Sequence, residues 1–154
     1  MPEYFLARST EEYNAAAKLF AEYAAWLAID LGFQHFKEEL ATLKKMYAPP
    51  SGGIILCKEE NNYIACVGIR KIDNDIAELK RMFVQPAHQQ KGIANMLMIR
   101  SIELARQCGY KIIRLDTLDT MAPAISLYKK FGFTETAPYY HNPNSNAVYF
   151  ELKL

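Results

Sequence analysis

The stretch from Val84 to Asn95 has the residues to bind an anion. A strand-like run ends at Val84, Pro86 stops it, and the polar loop Gln89-Gln90-Lys91 leads to Gly92, where a helical apolar pattern begins. The first N–H groups of a helix have no internal partner, and the helix dipole is positive there. That combination is an anion site. Gly92 and the small Ala94 let the main chain approach a phosphate closely, and Lys91 and the Gln89 side chain add donors. The GxGxxG and GxxxxGK[ST] patterns are absent, so the anion is not part of NAD or ATP held in those ways. Two further groups stand out. Glu78 is an acid inside a strand that should be largely buried, where a carboxylate is costly unless paired or functional. Its structural alternative is an ion pair with Lys80, Arg81 or Arg114. Asp116, at the end of a later strand, is a weaker candidate that also suits a loop cap. His35 and His88 read as surface residues.

Periodicity places these groups on elements. Tyr4 to Arg8 reads as a strand, and Ser9 or Thr10 caps a helix whose stripe Ala16, Phe20, Tyr23, Leu27 and Leu31 ends at Gly32. A second helix is predicted from about Gln34 to Lys45, ended by Pro49-Pro50. Three strands follow as an antiparallel meander: Gly53 to Lys58, Tyr63 to Lys71 and Ile76 to Val84. The helix opening at Gly92 runs to about Cys108. The next strand, Lys111 to Asp116, is then reached by a crossover and should lie parallel to Ile76–Val84. Thr120 is a candidate cap for a helix that carries Tyr128 and stops at Gly132. Two last strands lie near Phe133 to Ala137 and Ala147 to Leu152.

The 154 residues suffice for one domain, residues 1–154, and neither repeats nor a linker interrupt them. With 51% hydrophobic and 23% charged residues, the composition is that of a globular protein rather than a disordered one. A formal net charge of +1 gives no global field to attract nucleic acid or an anionic membrane, so neither is an expected partner. The first residues lack a basic segment followed by a long apolar run, and the expected location is the cytoplasm. Cys57, Cys66 and Cys108 are odd in number, without a CxxC pair, and read as reduced thiols. No metal is expected.

The run Ala77-Glu78-Leu79-Lys80-Arg81-Met82-Phe83-Val84-Gln85-Pro86, followed by Gln89-x-x-Gly92-x-Ala94, resembles the central motif of the GCN5-related N-acetyltransferase (GNAT) superfamily. Some 30 residues on, Ala124-Ile125-Ser126-Leu127-Tyr128-Lys129-Lys130-Phe131-Gly132-Phe133 is similar to that family's second motif. Leu115-Asp116-Thr117-Leu118 through Met121 and the late Tyr-Tyr-x-Asn-Pro loop look like an uncharacterised bacterial branch. The resemblance implies an α/β (α+β) fold. Its centre is a mixed, mostly antiparallel sheet of six to seven strands with one splayed parallel pair, flanked by about four helices. It implies acetyl-CoA as co-substrate, with Met82, Phe83 and Val84 pairing its pantetheine arm. The backbone N–H groups of Gln89, Gln90, Lys91, Gly92, Ile93, Ala94 and Asn95 would hold its pyrophosphate.

Tyr128 matches the family's general acid and Glu78 a position where many members keep a base. Many members also carry an Asn seven residues before the Tyr; Met121 stands there. The acceptor side is expected in the first helices and the last hairpin, with Tyr23, Trp26, Asp30, Phe33, Tyr139 and Tyr140 as candidates. The resemblance implies direct acetyl transfer to a primary amine of a small molecule, amino acid or peptide in a ternary complex. The competing reading is a non-catalytic acyl-CoA-binding sensor. A thiol-dependent acyltransferase using Cys66 or Cys108 lacks a neighbouring His. A homodimer stays open.

Overall fold

The computed structural model describes every residue of the chain except Ile29, and every side chain except those of Ile29 and Phe33. A seven-stranded sheet runs in the order β1-β2-β3-β4-β5-β7-β6. Strands β1 (Glu3–Leu6), β2 (Gly53–Glu59), β3 (Asn62–Lys71) and β4 (Ile76–Val84) form the expected antiparallel meander. Strand β5 (Ile112–Leu118) lies parallel to β4, while β7 (Ala147–Lys153) inserts antiparallel between β5 and β6 (Thr134–Thr136). The mixed sheet with one parallel pair bears out the expected fold, although there are five helices rather than about four.

The helices cover both faces. On one side, α1 (Thr10–Leu27) buries Tyr13, Ala16, Leu19 and Phe20 against β2 and β3, joined by Leu43 and Tyr47 from below. Its start is a capping box: the Ser9 hydroxyl accepts from the Glu12 N–H (3.1 Å) and Glu12 accepts from the Ser9 N–H (2.9 Å). It ends earlier than the apolar stripe suggested, because Ala28 turns left-handed at φ 56°. Leu31 is buried all the same, beyond the helix. The predicted second helix is broken into α2 (Phe36–Ala41) and α3 (Leu43–Met46) at Thr42, which leaves helical geometry at φ −131°.

On the other side, α4 (Ile93–Gln107) and α5 (Ala122–Lys130) pack onto the sheet through Ile93, Leu97, Met98 and Tyr128. Each fully buried aliphatic side chain contributes roughly 1.5–3 kcal/mol, so the two helical layers stabilise the sheet between them. Thr120 does not cap α5; Met121 occupies the cap without a side-chain bond, and a proline stands in the first turn as expected.

Two irregularities in β4 shape the centre. Between Lys80 and Phe83 the strand spends three residues where β3 spends two, Gly68 to Cys66, so β4 bulges. Arg81 sits in the bulge at φ 59°. On its other edge, β4 pairs with β5 only as far as Glu78 and Arg114. Beyond that point the two parallel strands part.

Candidate active site

The gap between β4 and β5 opens into a cleft of ≈ 530 Å³. One end is the turn into α4. Gly92 precedes the helix at φ 81°, no side chain caps it, and the first internal bond runs from the Met96 N–H to the Gly92 carbonyl (3.2 Å). The N–H groups of Ile93, Ala94 and Asn95 therefore have no helical partner and meet the dipole's positive end. A Cβ built on Gly92 would meet nothing within 4 Å. Glycine is required here by the left-handed backbone, and the open space is the cleft itself. The Gln89 amide is turned back onto the Val84 carbonyl (3.1 Å), so it braces the turn. Gln89, Gln90, Gly92, Ile93, Ala94 and Asn95 line the cleft, while Lys91, in the same turn, is exposed.

The middle of the cleft is the free edge of β4. Met82, Phe83 and Val84 line it as expected, and their backbone on that side is not taken by β5. His88, expected at the surface, is half-buried on the wall, and its Nδ1 is buried without a partner among the described residues. Trp26 also lies here, 46% exposed, with its ring 6.0 Å from Phe83. That corrects its expected place on the acceptor side. Met121, in place of the usual Asn, is on the wall too. Anion-holding N–H groups at one end and a strand edge along the middle fit an elongated ligand with a phosphorylated end and an amide-bearing arm.

The far end of the cleft is Tyr128. Its ring packs on Phe133 and Phe150, with centroids 5.8 and 6.1 Å away. Among the described residues its hydroxyl has no hydrogen-bond partner, and burial, with Tyr23 and Asp116 nearby, pushes its pKa well up. It stays protonated at any physiological pH, which suits a proton donor.

Tyr128, Met82 and Met121 also line a second, smaller cavity of ≈ 50 Å³, where Tyr23, Gln34, Lys80 and Asp116 form the opposite wall. Half-buried polar groups and the buried Lys80 meet there. The Asp116 Oδ2 accepts from the Tyr140 hydroxyl (2.6 Å), the Gln34 amide (3.3 Å) and the Asn142 amide (3.4 Å). Lys80 donates to the Gln34 Oε1 at 3.4 Å and stands 3.8 Å from Glu78. Burial pulls the Lys80 pKa down, against the pull of Glu78 in the other direction.

Glu78 is buried as expected but does not line this cavity. Arg70 Nε donates to its Oε1 (2.8 Å) and the Tyr139 hydroxyl to its Oε2 (2.7 Å). Burial acts to raise its pKa, but Lys80, Arg70 and the Tyr139 donor outweigh it, and the carboxyl titrates below the usual range. Arg81 pairs with Glu39 instead, and Arg114 with Glu151 at 3.4 Å. Tyr139 and Tyr140 thus act one layer out, each holding a carboxylate. Asp30 is exposed and accepts from the Gly32 N–H (2.8 Å), away from both cavities. Of the acceptor candidates only Tyr23 lines the small cavity, while the Phe33 side chain lies outside the described residues. Gln34 and Lys80 are wall residues that sequence reasoning missed, while Asn142 belongs to the late loop expected on the acceptor side. Adjacent Lys80 and Arg81 in an otherwise buried strand were the available signal. The thiols of Cys57, Cys66 and Cys108 are all pushed up by burial, which disfavours a thiolate nucleophile.

Among the described residues, no three His, Cys, Asp or Glu side chains are grouped to hold a metal, and no helix is long and apolar enough to cross a membrane. Residues 13–133 match the model of the acetyltransferase (GNAT) family. An uncharacterized N-acetyltransferase of Schizosaccharomyces pombe is 37% identical over 138 residues, spanning 88% of this chain and 85% of its own. Among solved structures, an acetyltransferase from Streptococcus agalactiae superposes with a TM-score of 0.82 at 19% identity, over 99% of this chain and 98% of the other. A GNAT family acetyltransferase from Elizabethkingia anophelis, solved with acetyl-CoA bound, gives 0.59 at 24% identity over 68% and 77%. This chain is thus an acyltransferase and belongs to the acetyltransferase (GNAT) family.

Proposed function

We propose that the protein transfers the acetyl group of acetyl-CoA to a primary amine of a small molecule, amino acid or peptide, by direct attack in a ternary complex. The observation that carries this reading is the position of Tyr128, on the wall of both the cleft and the small cavity. A thioester carried along the cleft from the α4 N-terminus ends beside this hydroxyl, and an amine in the small cavity faces it. The acetyl-CoA bound to the Elizabethkingia anophelis protein supports the choice of donor.

The roles follow from the chemistry. The acceptor loses one proton to water and attacks as the free amine. A C–N bond forms, the C–S bond breaks, and the Tyr128 hydroxyl protonates the departing thiolate. The nitrogen becomes strongly acidic once it has attacked, and its second proton passes to a carboxylate. Asp116 takes that role in this reading, because it lines the cavity and its Oδ1 has no partner among the described residues. Glu78, already held by three donors, positions Lys80 and the Tyr139 loop. A non-catalytic sensor would have no use for an unpartnered acid and a carboxylate lining the same cavity.

Initial rates of thiol release, with acetyl-CoA and an amine varied together, test this reading. Intersecting double-reciprocal lines and no release without amine are expected. Parallel lines, or an acetylated protein intermediate, would overturn direct attack.

A further inference from the structure

The small cavity carries a charge pattern that the general reading does not use. Four charged pairs or groups surround it, and two of them neutralise themselves. Glu39 and Arg81 form a closed bidentate pair. Glu78 is held by Arg70 at 2.8 Å and by Tyr139 at 2.7 Å. That leaves one cation and one anion on the wall, Lys80 and Asp116, which are not bonded to each other. The Gln34 amide stands between them, its Oε1 accepting from Lys80 at 3.4 Å and its Nε2 donating to Asp116 at 3.3 Å.

Lys80 is poorly satisfied for a buried cation. It is 7% exposed and has three donor hydrogens, yet its two partners lie at 3.4 and 3.8 Å. A buried ammonium with long contacts is costly unless something else completes its shell. Burial pulls its pKa down, although Glu78 and Asp116 pull it the other way.

Resting on the acetyl-transfer reading of the same site, we infer that the acceptor is a free α-amino acid, its carboxylate on Lys80 and its amine on Asp116. The two wall charges, separated by one neutral amide, match the ammonium and carboxylate of a zwitterion. The cavity of ≈ 50 Å³ exceeds the roughly 10–15 Å³ that one water needs, so a small polar group can enter it. A peptide N-terminus or a protein lysine presents no carboxylate next to its amine and would leave Lys80 buried with only its long contacts to Gln34 and Glu78. A site built around a polar group rejects analogues that lack it far more strongly than a hydrophobic pocket rejects a missing methylene.

The test compares kcat/KM, by thiol release with acetyl-CoA, for standard free amino acids, their decarboxylated amines and their α-carboxamides. In the unaltered protein, the best amino acid exceeds its amine and its amide by at least about 100-fold. In Lys80→Met that ratio falls below about 3-fold, and in Lys80→Arg, which keeps the charge, it stays above about 10-fold. Melting curves and acetyl-CoA affinity establish that both variants fold. Equal turnover of amino acid and decarboxylated amine would overturn the inference while leaving acetyl transfer intact. So would an undiminished ratio in Lys80→Met. Tight acetyl-CoA binding with no amine turned over at all would overturn the acetyl-transfer reading and the inference with it.

Discussion

The guanidinium of Arg81 grips the Glu39 carboxylate with two hydrogen bonds, at 3.1 and 2.9 Å, at the residue where β4 bulges. The pair is almost completely buried, the Tyr47 hydroxyl adds a third bond to Glu39 at 2.9 Å, and the guanidinium lies over the Phe36 ring. A strand that must part from its neighbour is thereby fixed to the helical layer behind it. Removing one charge leaves the other buried and unpaired, at a cost of roughly 3–5 kcal/mol. Glu39→Gln should lower unfolding stability by about that amount in urea titration, whereas the double replacement Glu39→Leu/Arg81→Met should recover most of it. A single variant as stable as the parent would show that the pair does not anchor the bulge.

Gly92 precedes α4 at φ 81°, where a β-branched residue is strained by roughly 1–2 kcal/mol or more. Its side is open, so a substitution at this position need not disturb packing. Gly92→Val should turn the free N–H groups away from the cleft and weaken acetyl-CoA binding at least about 10-fold by calorimetry, with melting temperature little changed. Unchanged affinity would remove the α4 N-terminus from the binding site.

Half-buried Asp116 and buried Glu78 should separate kinetically. Asp116 lines the small cavity, and Glu78 is one layer behind it. Loss of a general base typically costs about 100-fold or more in rate. Asp116→Asn should therefore depress kcat by that order, and Glu78→Gln should act mainly on stability and on KM for the acceptor. The reverse ranking, with Glu78→Gln inactive and Asp116→Asn active, would return the base role to Glu78.

Glu78 also predicts a pH dependence of folding. Its donors hold its pKa below the ordinary carboxylate value, despite burial. The stability it supplies is therefore complete above its unfolded value, about 4.3, and is lost as pH falls through the lower folded value. The gap in unfolding free energy between the parent and Glu78→Gln should be widest near neutrality and narrow in the acid range. A gap independent of pH would mean that the Glu78 charge contributes nothing.

Local chemistry made most of this fold legible. Strand β4 ends where Pro86 was expected to stop it, and the glycine at 92 and the Ser9 cap fall where short-range rules put them. What sequence reasoning missed is non-local. The stripe through Leu27 and Leu31 reads as one helix, yet Ala28 turns out of it and Leu31 is buried by tertiary packing. Nothing local marks Glu39 for burial; its partners are Tyr47 and Arg81, the latter 42 residues away. Tyr139 and Tyr140 looked like pocket walls because aromatic loops often are. Their hydroxyls instead serve Glu78 and Asp116, on strands 61 and 24 residues earlier. The motif residues were readable because a phosphate-holding turn is a local structure. The small cavity was not, because Gln34, Lys80, Asp116 and Asn142 on its wall come from four separate segments.

The central claim is that Tyr128 delivers the proton to the leaving thiolate. Its raised pKa keeps it protonated, and its hydroxyl is free to donate. Tyr128→Phe keeps the ring that packs on Phe133 and Phe150, so folding and acetyl-CoA binding should persist. The measurement is kcat for thiol release beside the acetyl-CoA dissociation constant, for parent and variant. The account predicts kcat reduced at least about 10-fold with affinity within about 2-fold. A variant that turns over at the parent's rate, or that loses affinity in proportion to rate, would contradict it.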